Sequence, residues 1–322
     1  MKKLSAFLRM HYEYRKEVNR SANSQLKFHN LWPYDQSQNL WFYRFIQYRA
    51  ILENSKEKEI ALFSVFGHRD KLAKNKSDIQ VFFTGENVQR KIFSQYKDHC
   101  LKDVDLSMGF EFIQAENYLR FPLWILYIID PELNLAGVKK KLNEISAIGR
   151  KIPSADKKFC CLVASHDENG IRSKMFSELS KIASVESGGN LLNNTDDLRV
   201  KYKNDKVSFL RNYKFNICPE NSDILGYVTE KPFEALLAGC IPVYQGSGNM
   251  PEPGVLNHNA MLLWNEADNG LSCRKLAEDL QKYDGAYEAF INQDRFAPSA
   301  AEFILDHMND LEKRLVTLLR NS

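Results

Sequence analysis

At 322 residues and 44% apolar side chains the chain can bury two cores, on a scale of roughly 150 residues per domain. Its 44 basic and 41 acidic side chains leave a net charge of +3, far short of the excess that marks a dedicated nucleic-acid binder. Six cysteines, Cys100, Cys160, Cys161, Cys218, Cys240 and Cys273, lack CxxC spacing, and those in or beside apolar runs read as packed, reduced thiols of a cytoplasmic protein rather than a redox pair.

In chain order, Lys2 and Lys3 lead into "RMHYEYRKEVNR" with no apolar signal-peptide core behind them. "LKFHNLWP" predicts a first strand stopped by Pro33, and "NLWFYRFIQYRAILEN" a helix. "EIALFSVFG" and "IQVFFTGEN" predict buried strands that each end in glycine. The longest apolar run, Phe121 to Ile129, is nine residues and contains Pro122, whereas a spanning helix needs about 20. No unaided membrane crossing is expected.

A helical "AGVKKKLNEISAIGRKI" then precedes a restart of the pattern with the strand "KFCCLVAS" and the helix "IRSKMFSELSKIASV", which places a domain boundary near Pro153. The closing "SAAEFILDHMNDLEKRLVTLLRNS" sets Phe303, Ile304, Met308, Leu311, Leu315 and Leu318 on one helical face. The expectation is an N-terminal domain over 1–152, a C-terminal domain over 153–295 and a closing helix over 296–322. Alternating strands and helices predict parallel sheets, whose carboxyl ends are where open α/β folds bind ligands.

One stretch concentrates polar residues at such a place. In "YKFNICPENSDILGYVTEKPFEALLAGCIPVYQGS" the strand is "YKFNIC", the loop runs from Pro219 to Tyr227, and a helix begins near Thr229 with Pro232 in its first turn and Gly239 as its stop. Glu230 and Lys231 thus lie at a helix N-terminus, where free N–H groups and the dipole favour an anion. Lys231 suits a phosphate and Glu230 two vicinal ribose hydroxyls. A capped helix with a solvated lysine is the plainer alternative.

This stretch, "YKFNICPENS…GYVTEK…AGCIPVYQGS", resembles the signature of the bacterial-type α-1,3-fucosyltransferases, glycosyltransferase family ten. "FFTGEN", "NYLRFPLW" and "VASHDENGIR" resemble further family segments in the same order, so the likeness covers about Leu62 to Gly246. It implies an α/β fold of GT-B type, two Rossmann-like domains with parallel sheets facing a central cleft, the N-terminal one acceptor-binding and the C-terminal one nucleotide-sugar-binding. It also implies an inverting enzyme that transfers L-fucose from GDP-fucose to a sugar hydroxyl, expected at O3 of an N-acetylglucosamine or glucose unit in a surface glycan such as a lipopolysaccharide O-antigen.

By position, the resemblance makes Glu86 the general base, sets Arg172 near the diphosphate, and makes Asn221, Tyr227, Glu230 and Lys231 donor contacts. Pro219 before Glu220 and the loop "SDILG" depart from the family pattern. The "SHDEN" loop beside Arg172 adds no support of its own. No cofactor is obligatory, with a divalent metal at most stimulatory, and the partners are GDP-fucose and an oligosaccharide or glycolipid acceptor. The expected place is the cytoplasm, at most peripheral at the inner membrane. Two alternatives keep the fold: another nucleotide sugar as donor, or an inactive nucleotide-sugar-binding protein. Asp103-Val104-Asp105 has the D-x-D form of a metal motif but does not close an apolar strand, and is read as ordinary loop carboxylates.

Overall fold

The computed structural model describes residues 25–29, 37–49, 51–54, 58–66 and 68–321. The expected strand terminators Pro33 and Gly67 and the polar leader fall outside them. The chain divides into two compact units, residues 1–134 with 305–322, and residues 135–304.

The first unit is built on a five-stranded parallel sheet of Leu26–Phe28 (β1), Ile60–Phe63 (β2), Ile79–Phe83 (β3), Leu106–Gly109 (β4) and Tyr118–Arg120 (β5), in that spatial order. β2 and β3 are wholly apolar apart from Gln80 and bury nearly every residue, as strands covered on both faces must. β4 and β5 escape a sequence reading because "LSMG" and "YLR" are too short to establish a period. Their register, Ser107 opposite Tyr118, comes from tertiary pairing. The helix Ser37–Tyr48 (α1) covers this sheet with Trp41, Phe42 and Phe45, which form an aromatic cluster with Phe83 and Phe121. Trp41 donates its indole N–H to Ile129 O at 2.7 Å.

The second unit carries Lys158–Leu162 (β6), Val185–Ser187 (β7), Tyr213–Ile217 (β8), Ile241–Tyr244 (β9) and Leu262–Leu263 (β10), all parallel, in the order β10-β9-β8-β6-β7. Chain order reverses between β6 and β8, so this doubly wound sheet has its topological switch point there. The boundary lies ahead of Pro153 because the helix Leu135–Ile148 (α2) packs into this unit. A Cβ at Gly239 would meet Gly149 Cα at 3.0 Å, so two glycines set the approach of that helix's end to the chain before β9. Ile171–Leu179 (α3), Lys206–Leu210 (α4) and Lys231–Ala238 (α5) are the helices that flank the switch point.

The last helix, Ala300–Asn321 (α6), buries Ile304, Met308, Leu311, Leu315 and Leu319. Phe303 and Leu318 sit at the margins of that stripe. From Leu305 onward it belongs to the first unit, where Arg49 pairs with Glu312 at 2.5 Å and Arg314 donates to Glu116 O at 2.7 Å. Among the described residues no helix is long and apolar enough to cross a membrane. All six cysteines are buried free thiols.

Candidate functional site

The carboxyl ends of β6 and β8 flank the switch point, and a side-chain bond bridges them. Arg172, in the first turn of α3, donates Nη2 to Asn221 Oδ1 at 2.6 Å and Nη1 to His166 O at 2.5 Å. It is 6% exposed, unlike an ordinary surface-helix arginine. The "SHDEN" loop, which added no support in the sequence, is what holds it. Asp167 accepts the backbone N–H of Arg172 at 3.1 Å and of Ser173 at 2.8 Å, capping the helix. Burial acts to raise the Asp167 pKa, but the bonds from Ser173 and Arg172 prevail and hold it below the usual carboxylate range.

Beside Asn221 stands Glu220, which the sequence reading left without a role. It is fully buried, at 0% exposure, and its two oxygens are the centre of the loop. Oε1 accepts Thr229 N at 2.8 Å; Oε2 accepts Thr229 Oγ1 and Lys231 Nζ, each at 2.8 Å. A carboxylate this deep must be paired and hydrogen-bonded, and Lys231, 17% exposed, supplies the countercharge. Burial would lower the Lys231 pKa; the charges of Glu220, then Glu230 and Tyr227, outweigh it and raise it well above the ordinary lysine value. Two of the three Lys231 donors go to Glu220 and Thr229 Oγ1, at 2.8 Å each. A third donor remains beyond these two bonds.

Glu230 is the N-cap of α5, in helical dihedrals and without a side-chain capping bond; its carboxylate is bonded by its own backbone N–H and by the Thr229 side chain. Burial opposes its ionisation, yet the neighbouring ammoniums of Lys231 and Lys206 keep its pKa below the usual value. Lys206, at the start of α4, also pairs with Glu234. Tyr227 is 1% exposed and its N–H donates to Ile224 O at 2.9 Å, so it supports the loop from within.

The departing "SDILG" segment is tied down as well. Asp223 accepts Gly248 N at 2.6 Å and Gln245 Nε2 at 3.3 Å, and Ser247 Oγ accepts Gly226 N at 3.0 Å. Gly246, at φ 145°, has no room for a side chain: a Cβ would meet Glu220 Cγ at 2.8 Å. The loop after β9 therefore presses on the carboxylate that organises the site.

Glu86 belongs to the first unit, just past β3. Its N–H donates to Thr84 Oγ1 at 3.0 Å, and that hydroxyl donates back to Glu86 O at 3.2 Å, a tight turn at the strand end. The carboxylate is 27% exposed, with Arg90 Nη1 3.8 Å away. Asp103 and Asp105 have structural duties. Arg69 Nε donates to Asp103 at 3.1 Å, and Asp105 accepts Gln80 N at 2.7 Å, fixing the start of β4 against β3. Among the described residues no group of three or more His, Cys, Asp or Glu is placed to hold a metal ion.

Two family models match in tandem: the alpha-(1,3)-fucosyltransferase FucT N-terminal domain over residues 26–127, and the glycosyltransferase family 10 (fucosyltransferase) C-terminal region over 152–292. The alpha-(1,3)-fucosyltransferase FucT of Helicobacter pylori is 32% identical over 191 residues, 52% of this chain and 37% of that protein. The human 4-galactosyl-N-acetylglucosaminide 3-alpha-L-fucosyltransferase 9 is 25% identical over 168 residues, 49% of this chain and 45% of that one. The matched segments thus span less than half the length of these curated relatives. A crystal structure of an alpha1,3-fucosyltransferase superposes with a TM-score of 0.61 at 21% identity, covering 92% of this chain and 90% of that one. The same enzyme type solved with GDP-fucose gives 0.60 at 21% identity, with equal coverage. The architecture is thereby the GT-B type, and the chain belongs to glycosyltransferase family 10, the fucosyltransferases.

Proposed function

We propose that the protein is an inverting α-1,3-fucosyltransferase that uses GDP-fucose as donor. The observation that carries this reading is the continuous buried chain Arg172–Asn221, Glu220–Lys231 at the switch point of the second unit, with the start of α5 beside it. Two cations, a helix N-terminus and the ionised Glu230 carboxylate are the complement of a nucleoside diphosphate with free ribose hydroxyls. The related bacterial and human enzymes, both fucosyltransferases, support fucosyl transfer, and the human one a 4-galactosyl-N-acetylglucosaminide as acceptor.

In this mechanism the acceptor hydroxyl loses its proton to Glu86 as its oxygen bonds to the anomeric carbon. The bond from that carbon to the diphosphate breaks on the opposite face, and its electron pair leaves with GDP. Arg172 and the remaining Lys231 donor stabilise the growing charge on the leaving diphosphate. The unit holding Glu86 is then the acceptor side, and the unit of residues 135–304 holds the nucleotide sugar. A divalent metal is at most stimulatory, and the enzyme works in the cytoplasm, at most peripheral at the inner membrane, on a surface glycan such as a lipopolysaccharide O-antigen.

The test is transfer from GDP-fucose to N-acetyllactosamine and to glucose-terminated acceptors, with the new anomeric configuration read by NMR. An α-fucosyl product linked at O3 is expected. Glu86→Gln should keep GDP affinity while lowering kcat by about 10²- to 10⁴-fold. Transfer from a different nucleotide sugar would replace the donor, and tight donor binding without turnover would make the chain a binding protein.

A further inference from the structure

In the first unit, β3, β4 and β5 are neighbours and parallel, so the residues past their carboxyl ends form one rim. Glu86 follows β3, Phe112 follows β4, and Arg120 ends β5. Phe112 is a large aromatic ring with 60% of its surface exposed. Arg120 places its guanidinium carbon 4.7 Å from the ring centroid and donates Nε to Phe110 O at 3.0 Å, so the ring is held on one face by an anchored cation. Most of the ring is in contact with solvent.

The rim is continuous. A Cβ at Gly85 would meet Leu123 Cδ2 at 2.6 Å, so the segment leaving β5 crosses directly over the turn that carries Glu86. Phe121 N donates to Gly109 O at 2.7 Å and Thr84 N to Met108 O at 3.0 Å, which lock the three strand exits together. With strands about 5 Å apart, the rim from the Glu86 strand to the Arg120 strand is about 10 Å across, comparable to a disaccharide.

We propose that Phe112, held by Arg120, is the stacking platform for the acceptor sugar next to the one that reacts. A pyranose presents a face of C–H groups that an aromatic ring attracts in water, while its hydroxyl edge stays free for polar partners. An exposed aromatic ring backed by Arg120 suits a neutral hydroxylated ring. The occupant is the galactose of a galactosyl-N-acetylglucosamine, with the N-acetylglucosamine hydroxyl at Glu86. This assignment rests on the function proposed above.

The test uses the full chain with N-acetyllactosamine and N-acetylglucosamine as acceptors. Phe112→Ala should raise the KM for N-acetyllactosamine about tenfold, the worth of one stacked ring, and lower the preference for disaccharide over monosaccharide by the same factor. The donor KM and Tm should stay at parental values, because the ring is largely exposed. Phe112→Trp should restore the acceptor KM and Phe112→Leu should not, since an apolar but non-aromatic side chain lacks the flat face. Saturation-transfer NMR with N-acetyllactosamine reads the same contact without turnover. If the parent transfers no fucose yet loses disaccharide binding on Phe112→Ala, the platform stands and the proposed reaction falls. A parental acceptor KM in both Phe112→Ala and Phe112→Leu, with normal transfer, overturns the platform alone.

Discussion

Lys231 reads from the sequence as a cation offered to phosphate, and in the folded chain most of its bonding goes inward to Glu220 and Thr229. The two roles are compatible, because an ammonium has three donors and the inward pair aims the third. They also make substitutions at the pair expensive. Glu220→Ala leaves a buried ammonium and a bare Thr229 amide, and should cost about 3–5 kcal/mol in urea unfolding, as the loss of one partner of a buried pair does. Combining it with Lys231→Met should cost less than the sum of the two single changes, which a double-mutant cycle will read. Glu230 should behave differently. Glu230→Ala should chiefly raise the donor KM, since ribose hydroxyls carry no developing charge. Its folded pKa lies below the unfolded one, so its contribution is complete above the unfolded carboxylate value of about 4.3 and is lost as pH falls through the folded value.

At the scale of the element, both helices at the switch point are set by local chemistry. α3 follows Gly170, at φ 76°, and takes its cap from Asp167 three residues further back. Asp167→Ala should remove about 1 kcal/mol of stability and loosen Arg172, seen as weaker GDP binding by calorimetry. The Asp167 pKa is also depressed, so this capping is full above the unfolded value near 3.9 and fades on acidification below it. α5 ends at Gly239, φ 74°, where an added Cβ would also meet Gly149 N at 3.0 Å. Gly239→Ala should therefore exceed the roughly 1–2 kcal/mol of a left-handed alanine, as measured by the urea midpoint.

For the whole molecule, GDP at 100 times its Kd should stabilise the folded state by about 2.7 kcal/mol. Hydrogen exchange should slow in residues 165–172 and 219–231, the two loops that meet through Arg172 and Asn221. The sequence was enough to place β2, β3, β6, β8 and β9, the helix start at Glu230–Lys231 and the stop at Gly239. Each rests on local signals: continuous apolar runs, proline in a first turn, glycine in a left-handed cap. It was also enough to identify the family, because "ENS", "YVTEK" and "FFTGEN" keep their spacing along the chain. Only tertiary structure decided that Glu220 is the buried hub, that Asp167 and His166 hold Arg172, and that β4 and β5 are strands at all. The same holds for α2, which packs with the second unit, and for the end of α6, which returns to the first. The physical reason is common to these cases. Burial, pairing register and the choice of a charge partner are properties of residues far apart in the chain, and no periodicity along one segment records which distant side chain will arrive.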